Sequence, residues 1–394
     1  MSAPSPTTPA AMPLKAAPLA AAPMNALRYL PEFEHTEAHE AQATADLEAS
    51  IEKIQRTVFG DSGHAERGVH AKSHAIVCGE LQVLDDLPAV LAQGLFAQPG
   101  SYPVVMRFST IPGDILDDGV STPRGLAIKL IGVPGERLPG SEADVTQDFV
   151  LGNAPAFAKP TAHSFASTLK LLAATTDKAP ATKKLLSGVM RGAERIVEAF
   201  GGKSATLISL GGQAPTHLLA DIYYSQTPLL YGEYMAKIAL VPVSAGLTRL
   251  ADTELNLADG PDALRRAASE FFRAHRGEWE LRVQLCTDLA AMPIEDASAV
   301  WSEELSPYIA VARIRVPPQQ AWSAERATAV DESMSFSPWH GLAAHRPLGS
   351  VNRVRRLVYQ QAAVFRARSN LTSVSEPRTL DGFPGAPVIG FAGD

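Results

Sequence analysis

Period-two alternation dominates the middle of this chain, and helical spacing surrounds and interrupts it. Eight runs read as strands: HAIVCGELQVL (74–84), YPVVMRFST (102–110), RGLAIKLIG (124–132), TQDFVLG (146–152), HLLADIYY (217–224), YMAKIALVPV (234–243), WELRVQLCTDL (279–289) and YIAVARIRV (308–316). They are rich in β-branched and aromatic residues, and most are bounded by Gly, Pro, Asp or Ser. Residues 36–57 have helix-forming composition, with Leu47, Ile51 and Ile54 at helical spacing. Helical pattern returns at 162–175 and 180–199, between the fourth and fifth strands, and at 262–275 before the seventh. Four strands, helices, then four strands predict an α+β fold: a closed eight-stranded antiparallel β-barrel surrounded by α-helices. A doubly wound sheet would need a helix after nearly every strand.

The first 35 residues break this pattern. MSAPSPTTPAAMPLKAAPLAAAP reads as a disordered Ala/Pro arm, with 36–394 a single domain. The arm lacks the basic start and unbroken apolar run of a secretory signal. No stretch approaches the roughly 18 apolar residues of a membrane span. The expectation is a cytoplasmic protein with no membrane partner.

Composition adds bounds. The 394 residues are 46% hydrophobic and 20% charged, ordinary for a soluble domain with a sizeable core. A net charge of −7 argues against a nucleic-acid partner. Arg353, Arg355, Arg356, Arg366 and Arg368 form a local basic exception. Cys78 and Cys286 are isolated in apolar strands and read as buried, inert thiols. His35 and His39 have metal-compatible spacing but no third ligand, and Gly201-Gly202 and Gly211-Gly212 lack a dinucleotide-binding context.

Two distant segments carry the chemistry. One is Arg67-Gly-Val69-His70-Ala-Lys72; the other is Arg355-Arg-Leu-Val-Tyr359, with Arg366 beyond it. Four residues apart on a helix, Arg355 and Tyr359 share a face, where a permanent cation favours a phenolate. Between them lie Met106-Arg107-Phe108-Ser109-Thr110, Pro123-Arg124-Gly125-Leu-Ala-Ile-Lys129 and Asp148-Phe-Val-Leu-Gly152-Asn153-Ala-Pro155, then Trp279 to Gln284 and Phe336. In this order the motifs resemble the haem catalases, whose RxVHAK, VRFST, PRGFAVK and DLVGNNTP they parallel. The resemblance runs through most of 67–366, and implies a barrel of the catalase type at about 67–330 with a proximal haem-ligand segment at about 331–370.

The resemblance implies a haem b cofactor with Tyr359 as its iron ligand. Arg355 would contact the phenolate. Arg67, Arg107 and Arg366 would pair with the propionates, for which the guanidinium fork suits a carboxylate. His70 would shuttle the peroxide proton, with Ser109 orienting its ring. Val69, Phe157, Phe165, Phe336 and Phe108 would lie along the haem. Asn153 would polarise the peroxide, although the family's asparagine is the first of an Asn pair and an ungapped alignment sets Gly152 there. Val69, immediately before the distal histidine, matches catalases rather than allene oxide synthases, which carry Thr.

Departures shape the expectation further. The family's Pro-Asp-Thr-His-Arg-His after the ligand tyrosine is replaced by Gln360-Gln-Ala-Ala-Val-Phe365, and Ala158 stands for a family phenylalanine. Only 28 residues follow Arg366, too few for the family's C-terminal helical domain. The expectation is a small catalase-related member, a minimal catalase/peroxidase. It would break down hydrogen peroxide or organic peroxides through an oxo-iron state, using a small organic electron donor. The alternatives are rearrangement of fatty-acid hydroperoxides and non-enzymatic haem binding. By the same analogy the chain would be a homo-oligomer.

Overall fold

Strand alternation builds the centre of the molecule. The computed structural model describes residue 23, residues 25–175 and residues 214–387. Most of the Ala/Pro arm, the helix expected at 180–199 and the two glycine pairs lie outside these residues. The strands are β1 (Ser73–Val83), β2 (Ser101–Thr110), β3 (Arg124–Ile131), β4 (Thr146–Gly152), β5 (Tyr223–Tyr224), β6 (Leu229–Tyr231), β7 (Tyr234–Pro242), β8 (Gly277–Leu285) and β9 (Ile309–Val316). Their order is β5-β4-β3-β2-β1-β9-β8-β7-β6, and β5 also pairs with β7. That extra pairing closes an eight-stranded antiparallel barrel, with β6 a short arm on β7. Closure removes the exposed edges on which strands aggregate.

Seven of the predicted strands are present; the run at 217–224 is the exception. A 3-10 turn takes Leu218–Ala220, and only Tyr223–Tyr224 pair as strand. The His217 ring accepts the Leu219 N–H at 3.2 Å, a local hydrogen bond that closes a turn where the apolar pattern suggested extension.

The barrel is filled by the inward residues of its strands, among them Val77, Met106, Phe108, Ile128, Leu240 and Leu281. Each such side chain contributes roughly 1.5–3 kcal/mol by leaving water. The outward residues Ile76, Cys78, Val105 and Ile131 are also covered, by Val330, Met334 and Phe336 of the segment after β9. Cys78 and Cys286 are free and buried, and burial pushes their thiols up to about 12 and about 11.

Helices pack outside this wall: α1 (Glu40–Ser62), α2 (Ala162–Thr175), α3 (Ala263–Ala274) and α4 (Ser350–Ser369). Leu47, Ile51 and Ile54 of α1 bury their shared stripe against Ala166 and Leu169 of α2 and Val354 and Val358 of α4. Among the described residues no helix is long and apolar enough to cross a membrane.

The start of α4 is pinned. Gly349 has a left-handed φ of 83°, and a Cβ there would meet the Ile294 carbonyl at 2.5 Å. Its N–H donates to Glu34 and that of Ser350 to Glu295, so two carboxylates meet the positive end of the helix. Arg353, one turn in, pairs with Glu34, Glu40 and Glu295.

Candidate active site

Sheet register makes a flat patch on the outer wall. Ser109 pairs with Gly125 and Gly125 with Gly152; beside that row, Arg107 pairs with Ala127 and Ala127 with Val150. Their neighbours Phe108 and Leu126 fill the barrel, so alternation turns both rows outward. Val150 and Arg355 border one cavity, so the patch looks across to α4.

His70 stands over this patch. Its backbone is left-handed, with φ 56°, and its N–H donates to the Ile111 carbonyl at 2.7 Å. Ring Nδ1 lies 3.1 Å from Ser109 Oγ, whose proton is directed to the Gly125 carbonyl at 3.4 Å. Ser109 therefore accepts from Nδ1–H, and Nε2 keeps its lone pair. Gly125 makes the room: a Cβ there would come within 2.3 Å of Cε1 and 2.6 Å of Nδ1. Burial first, then the charges of Arg107, Arg355 and Arg67, push this imidazole down to about 3. It is neutral across the physiological range.

Three arginines converge beyond the patch. Arg107 Nε donates to Asp331 Oδ1 at 2.5 Å, and its Nη2 to the Ala71 carbonyl at 3.0 Å. Arg67 donates to the carbonyls of Val330 at 2.8 Å and Met334 at 3.0 Å, and Arg366 to that of Met334 at 2.9 Å. The Nε atoms of Arg67 and Arg366 are buried without a hydrogen-bond partner. Burial, then repulsion from Arg366 and Arg107, draws Arg67 below its ordinary value. Burial pushes Asp331 up, but Arg107 and Arg67 outweigh it and hold the carboxyl below the usual range. Glu332, at the edge, is engaged by His64 and Asn370. Buried cations whose N–H groups lack acceptors favour an added anion. A cleft of about 390 Å³ opens at Asp331, bordered by Glu66, Ala71 and Trp322.

On α4, Arg355 Nη2 donates to the Tyr359 hydroxyl oxygen at 2.9 Å, with the guanidinium 5.1 Å from the ring centre. Arg355 is itself held: Nη1 donates to Asn352 Oδ1 at 3.0 Å, which also accepts from Thr227 Oγ1 at 3.1 Å. Asn352 Nδ2 donates to the Pro228 carbonyl at 3.0 Å, closing the chain onto the β5–β6 loop.

The remaining expected residues divide. Phe336 lies under Arg67, 5.6 Å from ring centre to guanidinium carbon. Phe157 and Phe165 meet edge to face at 4.8 Å, and Phe165 and Val69 pack on the α1–α2–α4 cluster. Phe108 is corrected: it faces the barrel interior, against Tyr223 and Trp279. Asn153 is corrected as well. Alternation turns it from the face of Gly152. Its Oδ1 accepts the Arg124 N–H at 3.0 Å and its Nδ2 donates to Asp221 at 3.2 Å.

Sequence reasoning missed Asp331 and Asn352. Asn352 had a signal, since it lies one helical turn before Arg355. Asp331 had none, because only folding brings its helical turn here. Among the described residues, Asp148, His340 and Glu376 are grouped closely enough to suit a metal. Lys129 bonds both carboxylates, so an ammonium supplies the positive charge there.

Solved structures similar to this chain are catalases. It matches a fungal catalase at 18% identity and TM-score 0.57, over 86% of this chain and 70% of that one. Catalase A from Saccharomyces cerevisiae matches at 17% and 0.56, over 84% and 70%. A bacterial catalase matches at 15% and 0.55, over 86% and 65%. The chain thus has the catalase fold and spans about two thirds of those chains' length. No family model and no curated protein matches the sequence.

Proposed function

We propose that this chain is a haem-dependent enzyme that breaks down hydrogen peroxide or organic peroxides, drawing on a small organic electron donor. The observation that carries the reading is the Arg355–Tyr359 hydrogen bond at 2.9 Å on a helix facing the patch beneath His70. A phenol held by Arg355 and a neutral imidazole near enough to feel the same Arg355 charge suit a metal ligand and a proton carrier. The donor set fits haem b: a planar group suits the outward row of Ala127 and Val150, and its two carboxylates suit the orphaned arginine nitrogens. Tyr359 would hold the iron, and Arg67, Arg107 and Arg366 the propionates. Val69, Phe157, Phe165 and Phe336 would pack along the ring system.

When bound, haem supplies the redox-active iron at which the O–O bond is cleaved. The chain does the rest. Arg355 donates to the Tyr359 oxygen, and Asn352 keeps Arg355 aimed. His70 Nε2 takes a proton from one peroxide oxygen and returns it to the other, so that water leaves. Ser109 holds the tautomer that makes this possible.

The same reading gives a single haem domain over 36–394, a homo-oligomeric state and a cytoplasmic location. The test is to purify the protein with haem, record its visible spectrum, and compare oxygen evolution from peroxide with oxidation of a small phenol. The expected result is a high-spin ferric spectrum and turnover in at least one assay, both lost in Tyr359→Phe. Haem uptake without turnover, unchanged by His70→Ala, would replace enzyme with carrier.

A further inference from the structure

Cleaving a peroxide needs a proton carrier and also a neutral donor to steady charge on the departing oxygen. Asn153 spends its carboxamide on Arg124 and Asp221. Another carboxamide lies on the outward side of the sheet. The space above Gly152 is filled by Gln226: a Cβ on Gly152 would come within 2.9 Å of Gln226 Oε1 and 3.2 Å of Nε2.

The register relates this group to His70. Gly152 pairs directly with Gly125, so their Cβ positions point the same way, roughly 4.5–5.5 Å apart. His70 fills the volume over Gly125, and Gln226 fills the volume over Gly152. The imidazole and the carboxamide therefore stand side by side over one glycine floor. Both residues have left-handed backbones, φ 56° at His70 and φ 62° at Gln226. Non-glycine residues seldom adopt that conformation, and in Gln226 it is held with the side chain anchored by Nε2 donating to the Ala156 carbonyl at 3.0 Å. That bond uses one of two N–H groups, and the second is available to a ligand. The next residue, Thr227, bonds Asn352 in the chain that aims Arg355. One loop thus reaches both sides of the site.

We propose that Gln226 is a catalytic residue of the peroxide reaction, its carboxamide donating to the peroxide beside His70. The inference rests on the peroxide reading above and extends it to a residue outside the motifs. A side chain large enough to do this from position 152 would collide with Gln226, so the glycine and the glutamine belong together.

The haem-loaded protein tests it. Gln226→Gly keeps the left-handed backbone while removing the amide, and Gln226→Glu keeps the shape while removing the N–H donors. Each is expected to lower kcat/KM for hydrogen peroxide about 100-fold, with the visible spectrum unchanged. Cyanide affinity, titrated by absorbance, should weaken in parallel, since a bound anion loses the same donor. Gly152→Asn added to Gln226→Gly should recover at least tenfold of the lost rate. Wild-type kcat/KM and cyanide affinity in Gln226→Glu would overturn the inference and leave the peroxide reading standing. A wild-type holoprotein that turns over no peroxide, yet binds cyanide more tightly than Gln226→Gly does, would instead sink the peroxide reading and leave Gln226 a ligand donor without that reaction.

Discussion

Gly125→Ala puts one methyl group where the His70 ring now lies. The new Cβ would be 2.3 Å from Cε1, against an ordinary contact of 3.4 Å or more, so the ring must move by about 1 Å. Movement away from the strand draws Nδ1 from Ser109, now at 3.1 Å, and the ring loses the partner that sets its tautomer. The lost hydrogen bond costs about 1 kcal/mol and the overpacking roughly 1–3 kcal/mol, small enough for the fold to survive. The catalytic cost is larger in consequence. A displacement of about 1 Å in a positioned proton carrier lowers rate on the order of 100-fold, or about 2.7 kcal/mol of barrier. The assay is initial peroxide turnover on an oxygen electrode, normalised to bound haem from its absorbance. A variant that loads haem and turns over at the wild-type rate would refute the placement of His70 as proton carrier. Ser109→Ala separates steric from orienting effects, since it removes the same hydrogen bond without crowding the ring, and should lower turnover about tenfold.

Other consequences follow from the same contacts. Asp331→Asn removes the carboxylate shared by Arg107 and Arg67, and should lower stability by about 3 kcal/mol in haem-free protein. Added haem should restore much of that loss, read as urea midpoints with and without haem. Asn352→Ala strips Arg355 Nη1 of its partner; haem binding should weaken about tenfold, and equal affinity in an absorbance titration would count against the aiming role. His217 and His345 each accept a backbone N–H, from Leu219 and Leu95, and burial pushes both imidazoles down to about 4. Their folded values lie below the unfolded one near 6.5, so the stability they hold is complete above pH 6.5 and is lost as pH falls toward 4. At pH 5 each should cost roughly 2 kcal/mol relative to pH 7. A melting temperature that does not fall between pH 7 and pH 5 would contradict this.

Much of the architecture was legible in the residues themselves. Period-two alternation marked seven strands nearly to their ends, because burial on the barrel side punishes any other register. The Arg355–Tyr359 contact follows from helical spacing alone, and the buried stripe of α1 from Leu47, Ile51 and Ile54. What could not be read was anything set by the meeting of distant loops. The turn at Leu218–Ala220 looked like strand, since apolar content does not reveal a side chain capping its own backbone.

The same limit divides the site. His70, Ser109 and the three arginines were singled out through the resemblance of their motifs. Whether Asn153 or another amide faces the imidazole could not be read that way, since one residue along a strand reverses the side chain's direction. Register, set by hydrogen bonds between β3 and β4, turned Gly152 toward His70 and Asn153 away. Local sequence determines which face a residue can present, because backbone geometry is local. Which faces come to share one space depends on how the barrel closes, and that is a property of the whole chain.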